Sequence, residues 1–290
     1  MRDYVILTDS CCDLTAEEIT ELGLTVLPLT YTLDGVNHKN DVFHPEMSNK
    51  EFFQKIREGS DCSTSAVSVG EFHDAMRPIL ESGKDILCVS FSSALSTTYQ
   101  SACIAAEDLR PEFPEARIIV IDSLSASRGQ GMLLWYTAQE KRKGKTLEEL
   151  ADYVRETIPH QCHWFTVDDL NHLKRGGRVS AATALFGTML SIKPVMYTSP
   201  EGKLIPMGKA RGMKAALTEL VNTMDKLAIR PIREPVFICH ADCPDSVDYV
   251  KGLLYERFGV TDVRADYIGP VIGSHTGCGT LGLFFMGTER

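Results

Sequence analysis

The sequence predicts an α/β protein, with a parallel, Rossmann-like sheet domain over residues 1–160 and a smaller α+β domain with a mixed sheet over residues 161–290. Three observations carry that expectation. Short apolar runs alternate with helix-patterned stretches through the first half, at the spacing of βαβ units. Past residue 160 the rhythm changes to short strands, with a hairpin at the turn Ser199-Pro200-Glu201-Gly202. A chain of 290 residues is also long enough to divide into two cores.

In chain order, Tyr4–Thr8 reads as the first strand, followed by Asp9–Leu14 and a helix over 15–22. A second strand spans 25–33, with Pro28 marking an edge or irregular position. Residues 36–45 are polar and read as a loop. Ser48 starts a helix through Glu58, with Glu51 three residues on as a capping box. A hydroxyl-rich loop, 61–68, opens a helix near Gly70. Strand three, 85–91, is apolar and branched enough to be buried in a parallel sheet. It runs through Ser92, Ser93 and Ser96 into a helix over 97–109. Strand four, 117–121, ends in Asp122–Ser127 before a helix over 130–143.

The second half reads as a helix over 147–158, a strand over 163–167 and a short helix that Asp168 caps and Gly176-Gly177 ends. The hairpin strands 192–197 and 204–208 follow, then a long helix over 214–227. Strands over 236–240, 263–268 and 281–286, and a helix over 245–258, complete the chain. The stretch 268–277 is too rich in glycine for regular structure.

Composition narrows the function. A net charge of −9, with 43% hydrophobic and 24% charged residues, argues against a broad nucleic-acid footprint and for a globular protein. No apolar run approaches a membrane span, and MRDYVILTDS enters a strand without a signal-peptide layout. Nine cysteines, an odd number without framework spacing, read as reduced thiols in the cytoplasm.

Three hydroxyl-rich loops, 8–10, 92–96 and 122–127, follow strand ends that share one edge of a parallel sheet, where such folds bind ligands. A strand that turns through Ser92–Ser96 into a helix offers backbone N–H groups to an anion, and Ser96 also reads simply as a cap. Arg178 beside Gly176-Gly177, Arg211 beside Gly212, and His275 complete a set suited to one carboxylate or phosphate. Other signatures fail. Gly277-x-Gly279-x-x-Gly282 is followed by a strand, not the helix a dinucleotide fold needs. Cys239-His240-x-x-Cys243 has no second half-site, so no metal is expected. A rival reading is a stand-alone enzyme acting on a small anionic metabolite, with Ser96 or Cys12 as nucleophile and His275 as base.

Taken together and in order, the segments TDSCCDL (8–14), TSAVSVGEF (64–72), SSALSTTYQSA (92–102), DSLSASRGQG (122–131), DDLNHLKRGGRVS (168–180), IKPV (192–195), GKARG (208–212) and IGPVIGSHTGCGTLG (268–282) resemble the DegV family of bacterial fatty-acid-binding proteins. The resemblance covers essentially the whole chain. It implies a two-domain fold with a long-chain fatty acid as the ligand between the domains and no cofactor. Thr64 and Ser96 would hold the carboxylate, with Ser65, Ser93, Arg178, Arg211 and His275 around it. It further implies a carrier rather than an enzyme, which presents the acid to a separate ATP-dependent fatty acid kinase subunit for phospholipid synthesis, with room for transient membrane contact. Family loops commonly read T-S-Q-P-S, S-S-G-L-S-G-T and H-T-G-P-G where this chain has TSAVS, SSALSTT and HTGCG.

Overall fold

The computed structural model describes residues 2–180, 191–233 and 235–290. Four parallel strands form the first sheet, in the order β2 (Leu24–Leu27), β1 (Tyr4–Asp9), β6 (Asp85–Ser90) and β7 (Ile118–Asp122). All six residues of β6 are buried, as an apolar parallel strand covered on both faces must be. The helices that cross over between these strands include α3 (Val69–Glu81) and α4 (Thr98–Leu109), while α5 (Arg128–Arg142) follows β7 and leads toward the second sheet.

A six-stranded mixed sheet follows. Its order is β10 (Leu204–Arg211), β9 (Ile192–Thr198), β8 (Gln161–Thr166), β13 (Leu281–Met286), β11 (Val236–His240) and β12 (Val263–Tyr267). Only β11 and β12 run parallel; the other pairs are antiparallel. The period of two along these strands separates two cores. Leu281, Leu283 and Phe285 join Cys162, Trp164, Val236 and Ile238 in a core beneath α8 (Met213–Leu227) and α9 (Pro244–Phe258). Phe284, Phe237 and Cys239 point the other way and join the large core of the four-stranded sheet. The two sheets are therefore packed through a common apolar layer.

The structure departs from the sequence reading in four places. The strand expected over 25–33 breaks at Pro28, which has no N–H to continue a ladder. Its second part, β3 (Thr30–Leu33), leaves the parallel sheet and forms a separate antiparallel one with β4 (Val36–Lys39) and β5 (Cys62–Ser65). Two stretches expected to be loops thus contain strands. The glycine-rich stretch is a helix, α10 (Pro270–Thr276), because Pro270 suits a first turn and Gly273 lets the helix lie against Phe52 and Phe53. A Cβ at Gly273 would stand 2.8 Å from the Phe53 ring. The cap of the short helix α7 (Leu170–Arg175) is Asp169 rather than Asp168, whose carboxylate instead pairs with Lys193. The remaining helices, α1 (Ala16–Leu22), α2 (Asn49–Arg57) and α6 (Leu147–Thr157), each carry a capping box, including the Ser48–Glu51 pair expected from sequence.

Candidate functional site

The carboxyl edge of the parallel sheet is held by two acids, Asp9, which is buried, and Asp122, which is half-buried. Asp9, at the end of β1, accepts hydrogen bonds from Ser90 Oγ (3.0 Å), Phe91 N (2.8 Å) and Cys11 N (3.2 Å). Asp122, at the end of β7, accepts from Ser93 N at 3.1 Å and Leu124 N at 3.0 Å. These bonds fix the loops after β6 and β7 side by side. Ser92 is the hub of its own loop: its carbonyl accepts from Leu95 N and Ser96 N, and its hydroxyl accepts from Ala94 N. The Ser92 hydroxyl in turn donates to Gly202 O, docking the β9–β10 turn onto the loop. Gly202 has φ +74°, and a Cβ there would stand 2.2 Å from Ser92 Oγ.

That arrangement alters the expected anion site. The amides of Ser93, Ala94, Leu95 and Ser96 are used within the loop or by Asp122. Ser96 Oγ accepts from Thr98 N at 3.2 Å and contacts Thr98 Oγ1 at 2.8 Å, so it does tie off the start of α4, although Thr97 holds the formal cap position. What remains for an anion is side chains, not a row of open amides.

Beside this loop lies a cavity of about 400 Å³, within the range of small-molecule sites, roughly 300–1,000 Å³. Six of the expected residues line it: Thr64, Ser65, Ser93, Ser96, Arg178 and His275. Ser65 and Ser93 are exposed, Thr64, Ser96, Arg178 and His275 half-buried, so this group forms a mouth. Beyond it the wall is largely apolar, with Phe91, Leu95, Phe165, Leu204, Ile268 and Val271. Loop 122–127 contributes Ala126 and Ser127, whereas loop 8–10 contributes nothing to this wall. Ser10 instead accepts from Leu29 N at 3.0 Å and holds the chain after β2.

Arg211 is not part of the group. It ends β10, the outer strand of its sheet, opposite Ile192, and its side chain is exposed outside the cavity. Adjacent glycines told of backbone freedom in both arginine segments, but only at Arg178 does the chain turn inward.

The mouth is assembled from elements far apart in sequence. Thr64 Oγ1 on β5 meets His275 Nε2 on α10 at 2.7 Å. His275 lies against Gly176, where a Cβ would stand 2.1 Å from Nδ1; no other residue fits there without moving the imidazole. Arg178 follows α7 through Gly177 (φ +72°), donates from Nε to Leu95 O at 3.1 Å and from Nη1 to Gly176 O. Among the described residues it has no carboxylate partner. Burial, with the Arg178 charge adding, pushes the His275 imidazole down to about 4, so it is neutral at pH 7.

A second, more polar cavity of about 400 Å³ shares Thr64, Arg178 and His275 with the first. Its other lining includes Cys62, Ser63, His172, Arg175 and Ser274. The mouth group is thus reached from two sides.

The rival enzyme arrangement is not assembled. Ser96 Oγ bonds Thr98 while His275 faces Thr64, so they make no nucleophile–base pair. Cys12 is sealed at 1% exposure, with burial pushing its thiol up. In the Cys239-His240-x-x-Cys243 segment, His240 Nδ1 accepts from Cys243 N at 3.3 Å. No cluster of three or more metal-ligating side chains occurs among the described residues.

The two packed sheets enclose a largely apolar cavity with a cation and hydroxyls at its mouth, a lining that suits a small molecule with an apolar body and an anionic end. The chain belongs to the DegV family: the family described as "Uncharacterised protein, DegV family" matches residues 3–288. A DegV domain-containing protein of Clostridium perfringens is 41% identical over 290 residues, covering 100% of this chain and 99% of the relative. A DegV family protein from Thermus thermophilus, described as binding fatty acid, superposes with a TM-score of 0.86 at 32% identity, covering 99% of this chain and 100% of that one. A Thermotoga maritima protein, described as revealing a fatty acid binding function, gives 0.85 at 27% identity with 99% and 100% coverage.

One wall residue that matters was missed from sequence. His163 lines the cavity from the middle of β8, and its place in an apolar run, His163-Trp164-Phe165, was the available signal.

Proposed function

We propose that this protein is a cytoplasmic carrier that binds one long-chain fatty acid in the cavity, between the two halves of the chain, with its carboxylate at Thr64, Ser65, Ser93, Ser96, Arg178 and His275. The observation that carries this reading is Arg178: a half-buried guanidinium without a carboxylate partner among the described residues, beside hydroxyls, at the mouth of an apolar cavity. A carboxylate supplies the missing counter-charge. Each buried methylene contributes about 0.8 kcal/mol, so the chain supplies most of the affinity and the mouth fixes orientation. The Thermus thermophilus and Thermotoga maritima relatives, described as binding fatty acids, support the same ligand class.

In the same reading the bound acid is presented to a separate ATP-dependent kinase subunit, and the acyl phosphate feeds phospholipid synthesis. The second cavity supports this step, since it is more polar and shares Thr64, Arg178 and His275 with the first. Arg175 and His172 in that cavity suit an incoming phosphoryl group. Transient contact with a membrane would deliver and withdraw the lipid.

Native mass spectrometry of the purified protein, before and after organic extraction, tests the carrier reading. A mass excess equal to one long-chain acid is expected, lost on extraction and restored by added acid. A protein that neither carries nor takes up such an acid overturns the proposal. For the kinase step, a Thr64→Ala/Ser96→Ala double variant is expected to lower phosphorylation of the bound acid more than its uptake.

A further inference from the structure

The apolar wall contains one polar group that the protein leaves without a partner. His163, in the middle of β8, is 5% exposed and lines the cavity. Its ring packs against Phe284, with centroids 4.5 Å apart, and Phe165, at 5.8 Å. No described residue hydrogen-bonds the ring: Nδ1 is sealed in the wall, whereas Nε2 is not among the sealed atoms and is the nitrogen that a molecule in the cavity can reach. Burial pushes this imidazole well below its ordinary value, so it carries one donor and one acceptor and no charge.

The other polar side chains nearby each make hydrogen bonds within the protein. Ser127 Oγ donates to Asp13 Oδ2 at 2.5 Å, and Thr280 Oγ1 donates to Thr276 O and Gly277 O, each at 3.1 Å. On the same face of β8, Gln161 Nε2 donates to Gly129 O. Gln161 Oε1 is also unpaired, but of these side chains only His163 makes no hydrogen bond at all among the described residues, and buried polar groups in folded proteins are usually paired.

Its position along the strand is informative. β8 runs from Gln161 toward Thr166 and on to α7 and Arg178, so Phe165 lies on the mouth side and His163 beyond it. Same-face neighbours on a strand are about 7 Å apart, several methylenes along an acyl chain. Resting on the fatty-acid reading, we infer that the preferred ligand carries an oxygen part-way along its chain, as a hydroxyl or oxo group, and that His163 is the residue that selects it. A plain alkyl chain passing the ring leaves Nε2 unpaired; a mid-chain oxygen pairs it.

The test uses the delipidated full chain and competition against a fluorescent fatty acid. The competitors are stearic acid, a positional series of hydroxystearic acids and the matching oxostearic acids. One position is expected to bind about tenfold tighter than stearic acid, the factor of one good neutral hydrogen bond. His163→Phe is expected to remove that preference while binding stearic acid more tightly, and His163→Gln, which keeps a donor and an acceptor, to retain part of it. If stearic acid binds and no oxygenated position binds better, or if His163→Phe keeps the preference, this inference falls and the carrier reading stands. If no acid binds, both fall. Should His163→Phe fail to fold, the positional series on the unaltered protein decides alone.

Discussion

Two arginines, Arg128 and Arg178, show what the cavity adds to the fold. Arg128 is 1% exposed, forks onto Glu18 with Nη2–Oε1 at 2.7 Å and Nη1–Oε2 at 3.0 Å, and donates to Asp13 O at 3.0 Å. Although burial raises the Glu18 carboxyl, the Arg128 fork holds it below the usual carboxylate range. Arg178 is less deeply buried and, among the described residues, bonds only the carbonyls of Leu95 and Gly176. Burial therefore lowers its guanidinium without a counter-charge to offset the cost. The first arginine has its charge met by Glu18 and locks α5 to α1. The second is held in place by backbone and has its charge left over, which is how a binding group differs from a structural one.

That contrast yields three expected outcomes. The largest is for Arg128→Met, which strands Glu18 near the core and should cost about 3–5 kcal/mol in chemical denaturation, with Glu18→Gln/Arg128→Met recovering part of it. Comparable stability of Arg128→Met and the unaltered protein would erase the distinction. Next, Arg178→Met should change the stability of lipid-free protein by less than about 1 kcal/mol, yet weaken fatty-acid binding by roughly ten- to a hundredfold, the range of a charge-assisted hydrogen bond. Unaltered affinity would remove Arg178 from the head-group site.

The smallest effect is on pH dependence. Folded His275 titrates at about 4 instead of 6.5, pushed down by burial and by the facing Arg178 charge. Between those values the unfolded chain binds a proton that the native state refuses, so lipid-free protein loses stability as pH falls from 6.5 to about 4. Below that window the contribution stays lost; above it, none is lost. Thermal melts of His275→Gln should show a shallower slope across the window. A bound carboxylate should also flatten it, because an adjacent negative charge raises the imidazole back toward its ordinary value.

Much of this was legible in the chain itself. Apolar runs of branched residues marked β1, β6, β7, β11 and β13, because a strand buried on both faces needs them. Ser48 and Glu51 announced α2 through bonds that lie within four residues of each other. Thr64, Ser93, Ser96, Arg178 and His275 were marked by the resemblance to the family and reach one cavity. Pro28 signalled an irregularity, but not that the chain leaves one sheet there for another.

Local chemistry is what a sequence can determine alone: propensity, capping and alternation act between residues a few positions apart. Which groups remain unpaired is decided only when distant segments meet. Arg178 and Arg211 look alike in sequence, both beside glycine, and only packing turns one toward Leu95 and leaves the other exposed at the edge of β10. His163 reads as one more strand residue until Phe284 and Phe165 close around it without offering its nitrogen a partner. An unmet hydrogen bond or charge is a property of the whole surroundings, which only the folded chain supplies.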